Sequence, residues 1–374
     1  MKKFNAIDLF AGAGGLSHGL ERAGFNVVLA NELESDFCET YRTNHPNTMV
    51  IEGDVRKIDF KTVLNESGFK ERIHLIAGGP PCQGFSTVGK KQEDDPRNDL
   101  FMEFIKTIEI FRPDFVLFEN VSGFKRMYEG RIFDKLRTEL DSLGYDHKYA
   151  ILNAVNFGLP QQRQRTIVVA YAKGLEFEMP EGGFSEEGGL YTKPYRTLRD
   201  AISDLPEIHS SGRADKYKAS PQNDYQKEMR GKEARLTEHF SPNHGPSLLN
   251  VISKVPPGGS IMDIPEELRP KSYFANTYAR LLWDKPTPTM TRNFGTPSSS
   301  RCIHPELDRG LSTREGARLQ GFPDGYVFCG KKGSKNLQIG NAVPPIFGFE
   351  IGKAIHESLA KKYKQNLQES DACV

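Results

Sequence analysis

Short apolar runs alternate with amphipathic stretches along residues 1–170. The runs at 5–10, 26–30, 73–77, 115–118 and 166–170 have the length and apolar content of strands. Between them, 16–23, 36–44, 98–111 and 131–143 carry apolar residues at helical spacing. This alternation predicts a parallel, doubly wound α/β sheet. In such sheets ligands bind beyond the carboxyl ends of the strands, so the loops that follow the strands are the places to look for chemistry.

The texture changes near residue 176. Gly, Pro, Ser and charge dominate at 181–189 and 210–223, and the remaining apolar clusters have no clear period. This predicts a smaller, irregular second domain over 176–308. Helical spacing returns at 314–319 and 345–360, as expected if 309–374 rejoins 1–175 in the first domain. No internal repeat or low-complexity tract interrupts the pattern.

Composition narrows the class without fixing it. The chain has 374 residues, 37% hydrophobic and 26% charged, enough for a sizeable core and about two domains. No run approaches the roughly 20 apolar residues of a membrane helix, so no membrane partner is expected. Asp8, His18 and several glycines interrupt the run after Met1-Lys2-Lys3, so no secretory signal is expected either. The five cysteines form no CxxC pair and no Cys/His cluster with zinc spacing, which argues against a metal or a disulfide framework and for a reducing compartment. A net charge of +1 argues neither for nor against nucleic acid.

Three loops carry candidate chemistry. Asp8-Leu9-Phe10-Ala11-Gly12-Ala13-Gly14-Gly15-Leu16 follows a strand and opens a helix, where glycines admit a ligand to the backbone and free N–H groups point outward. Glu32 ends the next strand, where a carboxylate can accept both hydroxyls of a ribose. Ser17 stands where a dinucleotide fingerprint needs its third glycine, which favours an adenosine cofactor without pyrophosphate. Asp54, in the Gly53-Asp54-Val55 loop, suits an adenine amino group and suits an ordinary turn equally well. The second loop, Gly78-Gly79-Pro80-Pro81-Cys82-Gln83, presents a cysteine on a rigid Pro-Pro turn that no core strand would contain. In the third, Glu119-Asn120-Val121 follows a strand at the same sheet edge, where a carboxylic acid can serve a ring nitrogen and an exocyclic amine.

Together these loops resemble the DNA cytosine-5 methyltransferase family over nearly the whole chain outside 176–308. Further likenesses are Gln161-Gln162-Arg163-Gln164-Arg165, the 314–323 run Arg-Glu-Gly-Ala-Arg-Leu-Gln-Gly-Phe-Pro, and the 338–345 run Gln-Ile-Gly-Asn-Ala-Val-Pro-Pro. The resemblance implies a Rossmann-like sheet that binds S-adenosylmethionine, with 176–308 as the target-recognition domain. It implies that Phe10, Gly12, Gly14, Gly15 and Leu16 line the cofactor site and that Glu32 holds the ribose. Asp54 and Val55 would meet the adenine, and Pro80, Leu100 and Asn341 would complete the pocket, with no metal. Cys82 is carried over as the nucleophile and Glu119 as the acid, while Arg163 and Arg165 would hold the flipped cytosine and its backbone.

Chemistry gives these roles a reason. Addition of a thiolate at C6 makes cytosine C5 electron-rich enough to take a methyl group, and a donor at N3 stabilises the charge that develops. The base must leave the duplex for this to happen. No Lys, Arg or His adjoins Cys82 in sequence, so a lowered thiol pKa falls to distant residues, with Arg163 or Arg165 as candidates. The expected partner is double-stranded DNA, with a cognate restriction endonuclease sharing the site and the enzyme acting as a monomer on nucleoid DNA in a bacterial cytoplasm. Arg292, Asn293 and Arg301, within 289–304, suit base edges. Competing readings are a tRNA cytosine-5 methyltransferase, disfavoured by the lack of a Cys-Phe-Thr tripeptide, an NAD-dependent oxidoreductase, disfavoured by Ser17, and a catalytically dead DNA-binding module, disfavoured by the intact Cys82, Glu119 and both arginines.

Overall fold

A computed structural model describes residues 4–81 and 98–372. The chain runs β1 (Phe4–Leu9), α1 (Gly15–Arg22), β2 (Phe25–Glu32), α2 (Ser35–Asn44), β3 (Met49–Glu52), α3 (Phe60–Glu66), β4 (Leu75–Gly78), α4 (Asn98–Phe111), β5 (Phe115–Val121), α5 (Arg131–Ser142), β6 (Tyr145–Asn153) and β7 (Gln164–Ala172). The seven strands form one sheet in the order β3-β2-β1-β4-β5-β7-β6. β1 and β4 are buried along their whole length because helices cover both faces, which is why they read as mostly apolar runs, with only Asn5 and Asp8 polar in β1.

Two strands lie outside the apolar runs expected from the sequence, β3 and β6, and both are edges of the sheet. Their residues are largely half-buried or exposed, so nothing forces the run to be apolar. The expectation of an all-parallel sheet needs one correction. β1, β2, β3, β4 and β5 pair in parallel, but β7 runs antiparallel to β5. An apolar run shows burial and not direction, so the reversal leaves no trace in the pattern.

By packing, the chain divides into two compact units. The first comprises 1–152, 164–181 and 345–374, within the described residues. Its core includes Ile7, Leu9, Leu29, Ile76, Phe104, Val116, Phe118 and Leu136. The long helix that closes this unit, Pro345–Ala372, packs on α1 and buries Phe347, Ile351, Ile355 and Leu359, four apolar residues each one turn further along.

The second unit comprises 153–163 and 182–344. It holds two two-residue strands, β8 (Phe184–Ser185) and β9 (Lys193–Pro194), and the short helices α6 (Leu198–Ile202), α7 (Asp224–Arg230), α8 (Pro246–Ile252), α9 (Thr313–Leu319) and α10 (Lys332–Asn341). The helix that follows, Pro345–Ala372, is α11. These bounds differ from the 176–308 expected from texture, because 309–344 packs with the second unit. Side-chain bonds to the earlier part of the unit are one reason: Arg318 on α9 bonds buried Asp204, Arg309 Nε donates to the carbonyl of Ile208 at 2.6 Å, and Lys335 on α10 pairs with Glu238 at 2.6 Å. Backbone contact is another, since Gly340 on α10 abuts the backbone of Arg292.

Candidate active site

The Gly-rich loop is a tight reversal. Phe10 and Gly12 both have φ of +57° and Gly14 has +86°, turning the chain from β1 into α1, which starts at Gly15. Gly14 costs nothing there, whereas Phe10 adopts a conformation that L residues avoid. Gly12 donates its N–H to Glu32 Oε2 at 2.8 Å, while Oε1 accepts from Leu33 and Glu34 at 2.8 and 3.0 Å. Burial pushes the Glu32 carboxyl above its ordinary range, and the three backbone bonds oppose that push. The carboxylate thus joins the end of β2 to the loop after β1. Leu16, the second residue of α1, is buried.

Ser17, the residue that breaks the dinucleotide pattern, is fully buried. Its hydroxyl donates to Asp8 Oδ2 and accepts from Tyr41 Oη at 2.6 Å. Asp8 Oδ1 is buried with no hydrogen-bond partner among the described residues, and burial raises the Asp8 pKa to about 7. Asn31 was not singled out from the sequence, yet it carries the Gly53-Asp54-Val55 loop. Its Nδ2 donates to the carbonyls of Ile51 and Gly53, both at 3.0 Å, which fixes the chain just before Asp54.

Asp54 itself caps a turn, accepting from Arg56 N, and Arg56 Nε lies 2.9 Å from its Oδ1. Hydrogen bonding by Arg56 holds the Asp54 carboxyl below its ordinary range. The Val55 side chain is buried in the sheet's apolar core, so only its backbone is available to a ligand. Half-buried Phe10 and Leu100 pack against that same apolar cluster.

At the end of β5, two of the catalytic candidates meet. Glu119 is 8% exposed, and Arg165 Nε lies 2.8 Å from its Oε1. The antiparallel direction of β7 makes this possible: Val121 at the end of β5 pairs with Arg165 at the start of β7. A parallel β7 would bring its far end to this edge instead. A Cβ on Gly79 would come within 2.9 Å of Glu119 Oε2, so glycine leaves room for the carboxylate. Asn120, not singled out from the sequence, donates to the carbonyl of buried Pro80 at 3.0 Å, tethering the chain where it enters the Pro-Pro-Cys turn. Cys82 lies outside the described residues.

Arg163 stands apart from its partner two residues on. It is 1% exposed, and its guanidinium donates to the carbonyls of Met290, Gly340 and Ala342 at 3.1, 3.0 and 2.9 Å. That burial leaves little of Arg163 for a flipped base. Gln161, also fully buried, bonds the carbonyl of Leu319 and the side chain of Gln320 and accepts from Met290 N. Asn341 ends α10 with its side chain exposed. Of the recognition candidates, Arg292, Asn293 and Arg301 are exposed, whereas His304 is buried and its Nδ1 accepts from Glu306 N and Leu307 N.

Among the described residues no cluster of His, Cys, Asp or Glu could hold a metal, and no helix is long and apolar enough to cross a membrane. Residues 4–357 match the C-5 cytosine-specific DNA methylases. The type II methyltransferase M1.HphI of Haemophilus parahaemolyticus is 36% identical over 352 residues, covering 93% of this chain and 86% of the relative. M.DdeI of Desulfomicrobium norvegicum, also a type II methyltransferase, is 34% identical over 94% of this chain and 88% of its own length. A prophage-encoded protein of Escherichia coli, described as a DNA modification methyltransferase, superposes with a TM-score of 0.77 at 28% identity, over 96% of this chain and all of its own. The chain therefore belongs to the C-5 cytosine-specific DNA methylase family and is a transferase of that class.

Proposed function

We propose that this enzyme transfers a methyl group from S-adenosylmethionine to C5 of a cytosine flipped out of a specific double-stranded DNA sequence, through a covalent bond between Cys82 and C6. The observation that carries this reading is the Glu119–Arg165 pair at the sheet edge, beside the tethered start of the Pro80-Pro81-Cys82 turn. Glu119 would bond the N3 and amine edge of the base, and Arg165 would hold the carboxyl in place and present a donor to the base carbonyl. Cys82 would add to C6, and departure of the C5 proton would later expel it.

The donor set around Gly12 fits a nucleoside cofactor. A half-buried carboxylate, Glu32, lies beside a backbone N–H loop, and Phe10 and Leu100 supply apolar surface of the kind a purine face needs. Phe10, Gly12, Gly14, Gly15, Leu16, Asp54, Val55, Pro80 and Asn341 would complete the site, with Val55 acting through its backbone. When bound, S-adenosylmethionine supplies an electrophilic methyl group and no metal is needed.

Residues 176–308 would carry target recognition, with Arg292, Asn293 and Arg301 as candidates for base contact. A cognate restriction endonuclease sharing the site, in keeping with the type II relatives, and action as a monomer on DNA in a bacterial cytoplasm belong to the same reading. Bisulfite sequencing of DNA from a host expressing the enzyme tests the reading. Protected cytosines should fall at one fixed sequence and vanish in Cys82→Ala. Methylation that persists in that variant would remove Cys82 from the mechanism, and methyl transfer to tRNA rather than DNA would change the substrate.

A further inference from the structure

Two segments with candidate roles at opposite ends of the reaction are held by one side chain. Arg163 bonds the carbonyls on either side of Asn341, those of Gly340 and Ala342, and it also bonds the carbonyl of Met290. Met290 leads directly into Thr291-Arg292-Asn293, whose side chains are exposed. The same carbonyl of Ala342 accepts from Gln320 Nε2 at 2.7 Å, and Gln320 is bonded by Gln161.

The recognition-side segment is stitched along its length. Gln162 N donates to Thr287 O at 2.8 Å, Thr289 Oγ1 donates to Gln162 O at 2.6 Å, and Met290 N donates to Gln161 Oε1 at 2.9 Å. Opposite it, a Cβ on Gly340 would strike the backbone of Arg292 and Thr291, 2.6 Å from Arg292 Cα. Residues 287–293 and 340–342 are therefore packed backbone to backbone with no side chain between them at Gly340. A buried guanidinium whose donors already serve three carbonyls is poorly placed to leave for a base or a phosphate, because each abandoned carbonyl would be left unsatisfied.

We infer that Arg163 is a positioning residue: it fixes the recognition segment 291–293 and the segment 340–342 as one rigid piece, so that the DNA-reading side chains and Asn341 move together. This rests on the proposed function, in which Asn341 meets the cofactor and Arg292 or Asn293 meets DNA. It assigns base contact to Arg165 alone of the two arginines. Because the piece is shared, loosening it from either side should weaken both ligands.

Steady-state kinetics on cognate DNA separates this from a role at the base. Arg163→Lys keeps the charge but loses the fork that reaches three carbonyls. It should raise KM for S-adenosylmethionine and KM for DNA about tenfold each, while kcat at saturation stays within about threefold. Arg165→Lys should show the reverse, a large fall in kcat with both KM values little changed. Gly340→Ala, with Arg163 intact, should reproduce the Arg163→Lys pattern. Thr289→Val removes only one hydroxyl bond on the recognition side and should raise KM for the cofactor as well as for DNA, each by about twofold to threefold. If Arg163→Lys or Gly340→Ala does not fold, as read by thermal melting, Thr289→Val decides. A fall in kcat for Arg163→Lys at unchanged KM, or a Thr289→Val enzyme with a wild-type cofactor KM, would overturn the inference. An inactive wild-type enzyme would instead overturn the proposed function.

Discussion

Asp8 in the first compact unit and two carboxyls in the second are buried under opposite conditions. Asp8 is the next-to-last residue of the buried strand β1, one of its oxygens has no hydrogen-bond partner among the described residues, and burial raises its pKa to about 7. In the second, Glu315 and Asp324 are also buried, and burial alone would raise them. Arg309 beside Glu315 and Arg318 beside Asp324 instead hold both below the ordinary carboxylate range. The sheet unit is built by apolar burial and tolerates an uncompensated acid near its ligand loop. The irregular unit has an apolar cluster too, but it also buries charge: Arg163, Arg309, Arg314 and Arg318 are among its largest fully buried side chains, Arg309 and Arg318 matched by carboxylates and Arg163 by carbonyls. A regular sheet can fill its interior with strands, whereas short helices and loops leave many buried carbonyls, and arginines with five donors each can satisfy them. Arg280 does so with the carbonyls of Ile252, Val255, His304 and Leu307.

The largest effect that tests this contrast is Arg318→Met. It leaves Asp204 buried without Arg318 and Asp324 with only Arg314, 3.7 Å away, and should cost about 3–5 kcal/mol, enough to unfold the second unit in mild denaturant. Trp283, the sole tryptophan, lies in that unit and reports its unfolding by fluorescence. A variant as stable as wild type would show that the pairs contribute nothing beyond packing.

The pH dependences should have opposite signs. For Asp8 the folded pKa lies above the unfolded value, so its stabilising contribution is complete below about pH 4 and is lost as pH rises towards 7. At about 1.4 kcal/mol per pH unit, this reaches up to about 4 kcal/mol. Asp8→Asn should therefore gain stability relative to wild type between pH 5 and pH 8 in urea titrations without cofactor, and a constant difference would contradict the assignment. For Glu315 and Asp324 the folded pKa is depressed. Their contribution is present above about pH 4.5 and is lost as pH falls further, so Trp283 should report acid unfolding of the second unit. The smallest effect belongs to the sheet core: Ile7→Val should cost about 0.5–1.5 kcal/mol, independent of pH.

These differences also explain what could be read in advance. The central strands were legible because both faces are buried, so residues such as Ile7, Leu75 and Val116 form apolar runs. The edge strands β3 and β6 were not, because half of each faces outward. Glu32 and Glu119 were legible as carboxylates following strands. Asn31 and Asn120 were not, since a single Asn that bonds a backbone carbonyl across the sheet edge has no pattern of its own. The contrast between Arg163 and Arg165 was hidden for a different reason. Two residues apart on an extended chain they share a face, and only the β5–β7 register and the carbonyls around Arg163 separate an outward role from an inward one. The boundary near 344 was hidden because the ion pairs joining 309–344 to the earlier part of the second unit link residues far apart in sequence, Asp204 with Arg318 and Glu238 with Lys335.

The central claim is that the Cys82 sulfur adds to cytosine C6 before methyl transfer completes, and a trapped complex tests it most directly. Cognate DNA carrying 5-fluorocytosine at the target position, mixed with the enzyme and S-adenosylmethionine, has no C5 proton to release, so the adduct cannot collapse. A denaturation-resistant complex of one chain per duplex, absent for Cys82→Ala and for the unfluorinated duplex, is the predicted result. Active enzyme that leaves the fluorinated duplex entirely free would contradict the account.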